Sequence, residues 1–411
     1  MIQGLLDFFL ILIPIVFPIG LFFLLLTLLK ESSRKKYIAA IEGVILEVVP
    51  PMDIEKSPAA MELFLTTMFN RGDAENPYDK YIKGKIRPWF SLEMVSLEGV
   101  VHFFIWTPKN KVKDVESQLY AQFPGIEVQP VDDYMSGIEY HDGVELFGAE
   151  MGLTSPDPYP IKTYVDYGLD KETEEGFKVD PITPIIETLG SLGKGHMMAI
   201  QIIFRAHLKE DKDVSKLIGG VQDNWHVEAK AEIRKIREGA VIEVQEGDTK
   251  KKLPQMTKGE SNIIEALERS ISKTGFDVGI RVMYLAEKNT FDGGNISSML
   301  GSFKQFNAPG LNGFKPIHLT KTKYDWMDRG GKKAKELKEE FIDAYKERAY
   351  FWRPVKKHRA FFPDQIIERK KFILNTEELA TIYHYPGRVS GTPSVERVQS
   401  KKAVPPSNLP M

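Results

Sequence analysis

The sequence predicts an α+β protein in which an N-terminal transmembrane helix precedes two ferredoxin-like units of the βαββαβ type. A helical insertion is expected in the second unit, and a helical and extended tail is expected after it. Three observations predict this architecture: a long uncharged run near the N-terminus, and two alternations of strand and helix signals, over residues 37–142 and 143–330. A chain of 411 residues, 42% of them hydrophobic, can build two cores beyond an anchor.

The apolar run comprises the 22 uncharged residues from Phe8 to Leu29. As an α-helix it would extend about 33 Å and cross a bilayer. Pro14 and Pro18 lie within the run, and a transmembrane helix accommodates such prolines as kinks. A cleaved signal peptide is the alternative, but no Lys or Arg precedes the run and no A-x-A site follows it. Residues 1–36 are therefore predicted to form a single-pass membrane anchor and its basic flank.

The charges beside the run predict the orientation of the anchor. Asp7 precedes the run, whereas four basic residues follow it and are opposed only by Glu31. The basic residues are Lys30, Arg34, Lys35 and Lys36. Because cytoplasmic flanks are enriched in Lys and Arg, the chain after residue 36 is predicted to lie in the cytoplasm, at the inner membrane.

The first unit, residues 37–142, is predicted from alternating strand and helix signals. Ser57 is expected to cap a helix that starts at Pro58, and the pair Glu98 and Gly99 is expected to turn a hairpin. Strands are expected at Val44–Val49, Phe90–Met94, Val100–Trp106 and Ile126–Val131. A second helix is expected between the last two strands, with apolar residues three and four apart. The resulting order, βαββαβ, is that of a ferredoxin-like sandwich.

The second unit, residues 143–330, shows a similar alternation. Strands are expected at Val144–Met151, Ile161–Tyr167, His196–Leu208 and Val278–Val282. Asp180 is expected to cap one helix, and Gly275 is expected to end another. The pattern predicts a second ferredoxin-like unit that carries an insertion.

The insertion is expected at about residues 209–259. It contains the stretch Glu228–Glu238, whose charges run along a helix with little apolar face. The stretch therefore predicts a solvent-exposed helical protrusion. A partner-binding arm is the alternative interpretation.

Residues 331–387 are predicted to form a charged helical tail that begins with a helix over Lys332–Arg348. Asn375 and Glu378 have the spacing of a capping box at the start of a second helix. From residue 388 to residue 411, Ser, Pro, Lys and Val occur without periodicity, which predicts an extended Pro-rich linker.

The residue types that catalysis needs are missing or wrongly spaced. The chain has no cysteine, which excludes disulfides, thiolate nucleophiles and thiolate metal sites. The nearest approach to a phosphate-binding loop ends in Lys194 and Gly195, where a hydroxyl residue should follow the lysine, and has Thr188 in place of the first glycine. The eight histidines form no H-E-x-x-H motif, and no G-x-S-x-G occurs. We expect no enzyme activity, no cofactor and no metal.

The remaining polar candidates have simple structural explanations. His102 lies in an apolar strand and is expected to be a structural histidine, and His384 is expected to cap a carbonyl at a helix end. Carboxylates adjacent in sequence, such as Glu377 and Glu378, need not share a pocket. An enzyme that uses scattered carboxylates is the weakest alternative.

The strongest candidate for function is a basic, aromatic stretch near residue 355. Its Lys and Arg side chains could contact phosphates or a protein partner, and its rings could stack on unpaired bases. The candidate contact residues are Trp352, Arg353, Lys356, Lys357 and Arg359. The alternative is that the aromatic residues pack on the second unit.

Four sequence segments, together with the apolar run, resemble one family. They are Met61–Leu65, Tyr120–Pro130, Glu378–Pro386 and Lys401–Pro410. With the run, they are similar to the N-terminal, non-ATPase portion of membrane-anchored type IV secretion and conjugation ATPases, which are related to HerA/FtsK translocases and are common in candidate-phylum bacteria. The resemblance covers nearly the whole chain but includes no catalytic residue.

The resemblance implies a membrane-proximal adaptor that positions a DNA or protein translocase, in a ring of identical subunits. A P-loop ATPase is the implied partner, either as a separate chain or as a domain that would follow Met411. DNA is a second implied partner, and the lipid bilayer is the third. An independent membrane-tethered protein that binds nucleic acid or an envelope partner is the alternative.

Overall fold

The computed structural model describes residues 2–51, 58–69, 72, 76–171, 179–208, 225–246, 249–254, 256–320, 331–354, 366–367 and 371–387. The predicted fold class is confirmed: the protein is α+β, with a long N-terminal helix, α1 (Ile2–Ala39), followed by a mixed body around one antiparallel sheet. The predicted cap Ser57 and the predicted linker 388–411 lie outside the described residues.

The first unit has the connectivity that the sequence predicts. Its elements are β1 (Gly43–Val49), α2 (Pro58–Thr67), β2 (Phe90–Leu97), β3 (Val100–Pro108), α3 (Val112–Gln122) and β4 (Glu127–Val131). The strands are antiparallel in the order β4-β1-β3-β2, which is the order of a ferredoxin-like sandwich. Glu98 and Gly99 make the hairpin turn, both with positive φ.

The second unit repeats this order. Its elements are β5 (Val144–Leu153), α4 (Thr183–Gly190), β6 (His196–Ala206), β9 (Gly275–Glu287), α7 (Gly293–Gly301) and β10 (Phe314–Leu319). The strands run β10-β5-β9-β6, all antiparallel. The insertion lies between the second and third strands of the unit, and consists of α5 (Trp225–Gly239), β7 (Val241–Glu246), β8 (Thr249–Pro254) and α6 (Lys258–Ser272).

The two units share one sheet because β2 pairs with β6. Each of these strands is the second strand of its own unit, so the units are related by an approximate two-fold axis through the seam. Glu93 lies opposite Gln201 near the middle of this pairing. The outer strands of the eight-strand path are β4 and β10, the fourth strand of each unit.

Both faces of the sheet are covered. One face packs against α2, α3, α4, α7 and a last helix, α9 (Thr376–Ile382). The other face packs against the end of α1, against α8 (Lys332–Lys346), and against residues 134–140 and 350–352. Val95, Ala199 and Met283 belong to this second core, whereas Met94, Ile200 and Val282 belong to the first.

The segment Ile161–Tyr167 is not a strand, contrary to the sequence-based expectation. Its backbone bonds to side chains and to the Phe306 carbonyl instead of to a neighbouring strand. The Ile161 N–H donates to Glu378 Oε1 at 2.9 Å, and the Tyr164 N–H donates to Thr381 Oγ1 at 2.9 Å. The alternation of apolar residues therefore reflects packing beneath α9.

The insertion is not wholly helical and α5 is not wholly exposed, which corrects the second expectation. Trp225, Ala229 and Ile233 are buried, so α5 has an apolar stripe, and the helix packs on α6. The stripe begins at Trp225, three residues before the predicted charged stretch Glu228–Glu238. Helix α4 begins later than expected, at Thr183, three residues after Asp180.

Residues 371–387 are core and not tail, which corrects the third expectation. The strand β13 (Phe372–Asn375) pairs with the first residues of β9, and every residue of α9 is buried against α2 and the sheet. The predicted capping box is present: Asn375 accepts from the Glu378 N–H, and Glu378 accepts from the Asn375 N–H, both at 2.9 Å. The preceding helix α8 ends at Lys346 and buries Phe341 and Tyr345.

A pair of matched leucine substitutions tests the burial of α9. Leu379 is 0% exposed in α9, whereas Leu63 is 57% exposed on α2. Leu379→Ala is expected to lower the free energy of unfolding by about 2–5 kcal/mol because it leaves a cavity. Leu63→Ala is expected to change it by less than about 0.5 kcal/mol. Denaturant unfolding of the full chain in detergent micelles measures both; equal effects would mean that α9 is a peripheral tail.

Candidate functional site at the base of the N-terminal helix

Helix α1 is long and apolar enough to cross a membrane. Its segment Val16–Ala39 has 24 residues and a mean hydropathy of 1.6, and the protein buries none of its most apolar window. Pro14 and Pro18 lie inside the helix without interrupting it. The helix continues for ten residues after Leu29, the end of the apolar run, so its last turns carry the basic flank.

The last turns of α1 are fixed to a helical turn over Asp79–Lys83. Ser33 Oγ donates to the Tyr81 carbonyl at 2.8 Å. Gly84 follows with φ 65°, and a Cβ there would overlap the backbone of Ser33 and Arg34. Only glycine satisfies both the conformation and the contact, so the close packing of α1 on this turn depends on Gly84.

A second contact joins α1 to the sheet through Trp352. The Arg34 guanidinium lies 4.5 Å from the centre of the Trp352 ring, and the Arg205 guanidinium lies 5.1 Å from it. Arg205 is a fully buried residue of β6 and also lies 4.3 Å from the Phe351 ring. Cation–π attraction therefore connects α1 to the seam of the sheet.

Beside this contact, a cavity of about 440 Å³ lies between the end of α1 and the sheet. Trp89 and Trp106 form one wall, stacked with their ring centres 5.4 Å apart. Ile38, Ile41 and Trp352 contribute further apolar surface. The charged residues of its lining are Lys35, Glu347 and Arg348. A second cavity, of about 580 Å³, lies against the same end of α1.

A buried polar network lies under α8 at the seam of the sheet. Glu93 accepts hydrogen bonds from Gln201 Nε2 at 3.0 Å, from Tyr134 at 2.6 Å and from Arg348 Nε at 3.1 Å. Arg281 donates to Gln201 and to the carbonyls of Ala344 and Ala349. The network joins β2, β6, β9 and the end of α8, so it holds residues 350–352 in place beside α1.

The surroundings of the network keep Arg348 charged and Tyr134 neutral. Burial disfavours the Arg348 guanidinium, but Glu93 and Asp133 raise the pKa of Arg348 above its usual value, so it stays protonated. Burial, together with Glu93, raises the pKa of Tyr134, which remains a neutral donor. These shifts stabilise one protonation state and fit a structural network.

A second buried ion cluster lies at the start of β9. Asp277 accepts from Arg205 Nε at 3.0 Å, from His207 Nδ1 at 2.7 Å and from Lys371 Nζ at 3.1 Å. Burial alone would raise the pKa of Asp277, but the His207 hydrogen bond and the positive charges of Lys371 and Arg205 lower it. The cluster ties β13 to the strand that bears Arg205.

Of the predicted contact residues, only Trp352 has a described side chain. Arg353 opens β11 (Arg353–Pro354), a two-residue strand that pairs with β12 (Ile366–Ile367), and only its backbone is described. Lys356, Lys357 and Arg359 lie outside the described residues. Tyr350 and Phe351 are each 1% exposed and face β9 and β6, which confirms the alternative that these two rings pack on the second unit.

His102 and His384 have the structural partners that the sequence predicts. His102 pairs with Glu47 at 2.8 Å, and His384 Nδ1 lies 2.8 Å from the Ala380 carbonyl. The described residues contain no group of three or more His, Asp or Glu side chains that could hold a metal ion. Glu377 and Glu378 are buried in separate structural roles, the first with Arg269 and Lys273, the second in the capping box.

Sequence reasoning missed Trp89, Trp106 and Arg205 as parts of this site. The two tryptophans stand at the open end of the β2–β3 hairpin. Trp106 lies opposite Ser91, two residues after Trp89, so the register of the hairpin would have placed the two rings near each other. Arg205 carried no local signal, because its partners come from β9 and from the segment after α8.

Taken together, the fold and the site define a class of protein: a double ferredoxin-like sheet built directly onto the end of a long apolar helix. The chain belongs to the family described as a domain of unknown function (DUF8128), whose model matches residues 29–397. The match begins at the last residue of the apolar run. No curated protein shows significant similarity to the chain.

A double-mutant cycle tests the contact between α1 and Trp352. Arg34→Ala and Trp352→Ala are each expected to destabilise the protein, with a coupling energy of about 0.5–2 kcal/mol because the two groups interact directly. Lys36, two residues along α1 and exposed, supplies the control: Lys36→Ala should show no coupling to Trp352→Ala. Unfolding in detergent micelles measures the four free energies, and zero coupling for Arg34 would exclude the contact.

Proposed function

We propose that this chain is a non-catalytic, membrane-anchored adaptor that positions a translocation ATPase of the type IV secretion or conjugation kind at the cytoplasmic face of the inner membrane. The observation that carries the proposal is the junction at the base of α1. The helix continues past the apolar run and its last turns are held by Tyr81, Gly84 and Trp352. A platform that holds a motor at a set distance from a bilayer needs this rigid connection, because a flexible linker cannot set a distance.

The orientation in the proposal follows from charge. Lys30, Arg34, Lys35 and Lys36 lie between the apolar run and the body, against Glu31 alone. Such flanks favour the cytoplasmic side. The double ferredoxin-like body would then face the cytoplasm, where a motor has access to ATP.

The ATPase partner is supported by the sequence resemblance. Two of its segments meet in the core: Glu62, in Met61–Leu65, accepts from Thr376 at 3.2 Å, beside the segment Glu378–Pro386. The resemblance therefore includes residues that stabilise this fold. The Pro-rich stretch 388–411 would deliver the body to the motor, as a tether of the extended kind.

Edge strands bear on the proposed homo-oligomer. Both outer strands of the sheet contain a proline, Pro130 in β4 and Pro316 in β10. A proline has no N–H to donate to an added strand, and β10 also has an irregularity at His318. Subunits of a ring are therefore expected to meet through other surfaces than the strand edges.

The alternative function, an independent membrane-tethered binder of nucleic acid or of an envelope partner, gains no support from the aromatic rings. Tyr350 and Phe351 are buried, and Trp352 is held between Arg34 and Arg205. Stacking on bases would require these rings to leave the core. DNA contact by this chain stays a secondary proposal, which the experiment below also addresses.

Photo-crosslinking of the full chain in native membranes tests the proposal. A photoreactive amino acid at Gln399, in the Pro-rich stretch, is expected to capture a P-loop ATPase, which mass spectrometry identifies. The same group at Val100, on the exposed hairpin turn, is the control and should capture none. Capture of nucleic acid or of an envelope protein alone, from a folded and membrane-inserted chain, would favour the alternative.

A further inference from the structure

We propose that the segment Tyr78–Lys85, together with the basic flank of α1, is a docking surface for anionic phospholipid headgroups. The proposal rests on the proposed function in one respect only, that α1 crosses the bilayer. It adds a second contact between the body and the membrane, beyond the anchor.

The composition of the segment is that of a membrane interface. Tyr78 is 58% exposed and Ile82 is 52% exposed, which places an aromatic and an aliphatic side chain on the surface. Three lysines accompany them, at positions 80, 83 and 85. The only carboxylate is Asp79, which is 7% exposed and pairs with Lys83 at 2.9 Å. Exposed apolar side chains among basic ones are typical of surfaces that enter the headgroup layer.

The depth of the segment is set by its contacts with α1. Ser33, which bonds to the Tyr81 carbonyl and touches Gly84, lies four residues after Leu29. At 1.5 Å per residue, this places it roughly 6 Å beyond the end of the apolar run. The headgroup layer on each side of a bilayer is about 5–7 Å thick. The contacts with α1 therefore suffice to hold the segment beside the lipid headgroups.

The lysine side chains lie near aromatic rings. Lys80 Nζ is 5.7 Å from the centre of the Tyr81 ring, and Lys83 Nζ is 5.4 Å from the centre of the Tyr78 ring. This arrangement keeps each ammonium group beside a ring that favours the interface. Arg34, Lys35 and Lys36 stand at nearly the same depth on α1 and add to the positive charge. Basic clusters next to a transmembrane helix attract anionic lipids.

A bilayer fits the surface better than a nucleic acid does. The exposed Ile82 stands among the lysines, where it would gain nothing from a phosphodiester backbone but would enter the boundary between headgroups and acyl chains. The segment is also held against the anchor helix itself, so that a lipid surface is its nearest partner. Free nucleic acid is kept as an outcome of the test.

The absence of cysteine from the chain makes a single-site probe simple. The full chain with Ile82→Cys, labelled with an environment-sensitive fluorophore, is placed in nanodiscs of phosphatidylcholine alone or of equal parts phosphatidylcholine and phosphatidylglycerol. The control label is at Val100→Cys, at the start of β3. The other end of β3, Pro108, pairs with Gly43 just after α1, so the control position lies at the end of the strand away from α1.

With phosphatidylglycerol, the label at position 82 is expected to shift its emission to the blue and to be quenched several-fold more by shallow brominated lipids than the label at position 100. High salt should reduce the effect, because it screens the lysines. Lys80→Gln with Lys85→Gln should also reduce it. The matched pair Lys194→Gln and Lys288→Gln, exposed lysines at the opposite end of the sheet, should leave it unchanged.

Two failures are distinguishable. If alkaline extraction releases the chain from membranes, α1 does not span the bilayer, and the proposed function fails with this inference. If the chain stays membrane-bound but the label at position 82 behaves the same in both nanodiscs, the headgroup surface is excluded and the anchor stands. A response to a free oligonucleotide without any response to phosphatidylglycerol would likewise overturn the inference.

Discussion

The pairing of β2 with β6 is the interaction on which the rest of the structure depends. It joins two ferredoxin-like units, each with its own strand order, into a single sheet with two covered faces. At the seam, Glu93 and Gln201 lie opposite one another and are bonded to each other, and both are bonded to groups on or just after α8. Removing one partner of such a buried network leaves a buried charge unpaired, which lowers the free energy of unfolding by several kcal/mol. The seam is therefore both the centre of the fold and its most sensitive point.

The seam also explains how α1 is held. The network under α8 orders the residues that follow the helix. The sixth of these, Trp352, lies against Arg34 of α1 on one side and Arg205 of β6 on the other. Arg205 is in turn fixed by Asp277. A continuous series of contacts thus runs from the centre of the sheet to the end of the apolar helix. A body that is built onto its anchor in this way can hold a partner at a constant height above the membrane, which is the basis of the proposed adaptor role.

Much of the fold could be predicted from periodicity, because strands of the first unit alternate and its helices show regular apolar spacing. The pairing of β2 with β6 could not be predicted in this way, because alternation shows which face of a strand is buried but not which strand pairs with its edge. Helix α9 was predicted to belong to a tail because the residues before it, from Lys332 onward, are highly charged. Glu377 and Glu378 of this helix are nevertheless buried and hydrogen-bonded. For the candidate site, Trp352 was identified from its basic, aromatic neighbourhood. Its partners Arg34 and Arg205 stand far from it in sequence, so no local pattern could have joined them. The sequence left two interpretations open: contact with a nucleic acid or a partner, and packing on the second unit.

The central claim is that the body is rigidly joined to α1, the proposed membrane helix, and a distance measurement between spin labels tests it most directly. The chain has no native cysteine, so Ser32→Cys on α1 and Tyr120→Cys on α3 can be introduced together as its two labelling sites. Both positions are exposed. Double electron–electron resonance in nanodiscs is expected to give one narrow distance distribution. A broad distribution, as from a body that swings on a flexible tether, would contradict the account.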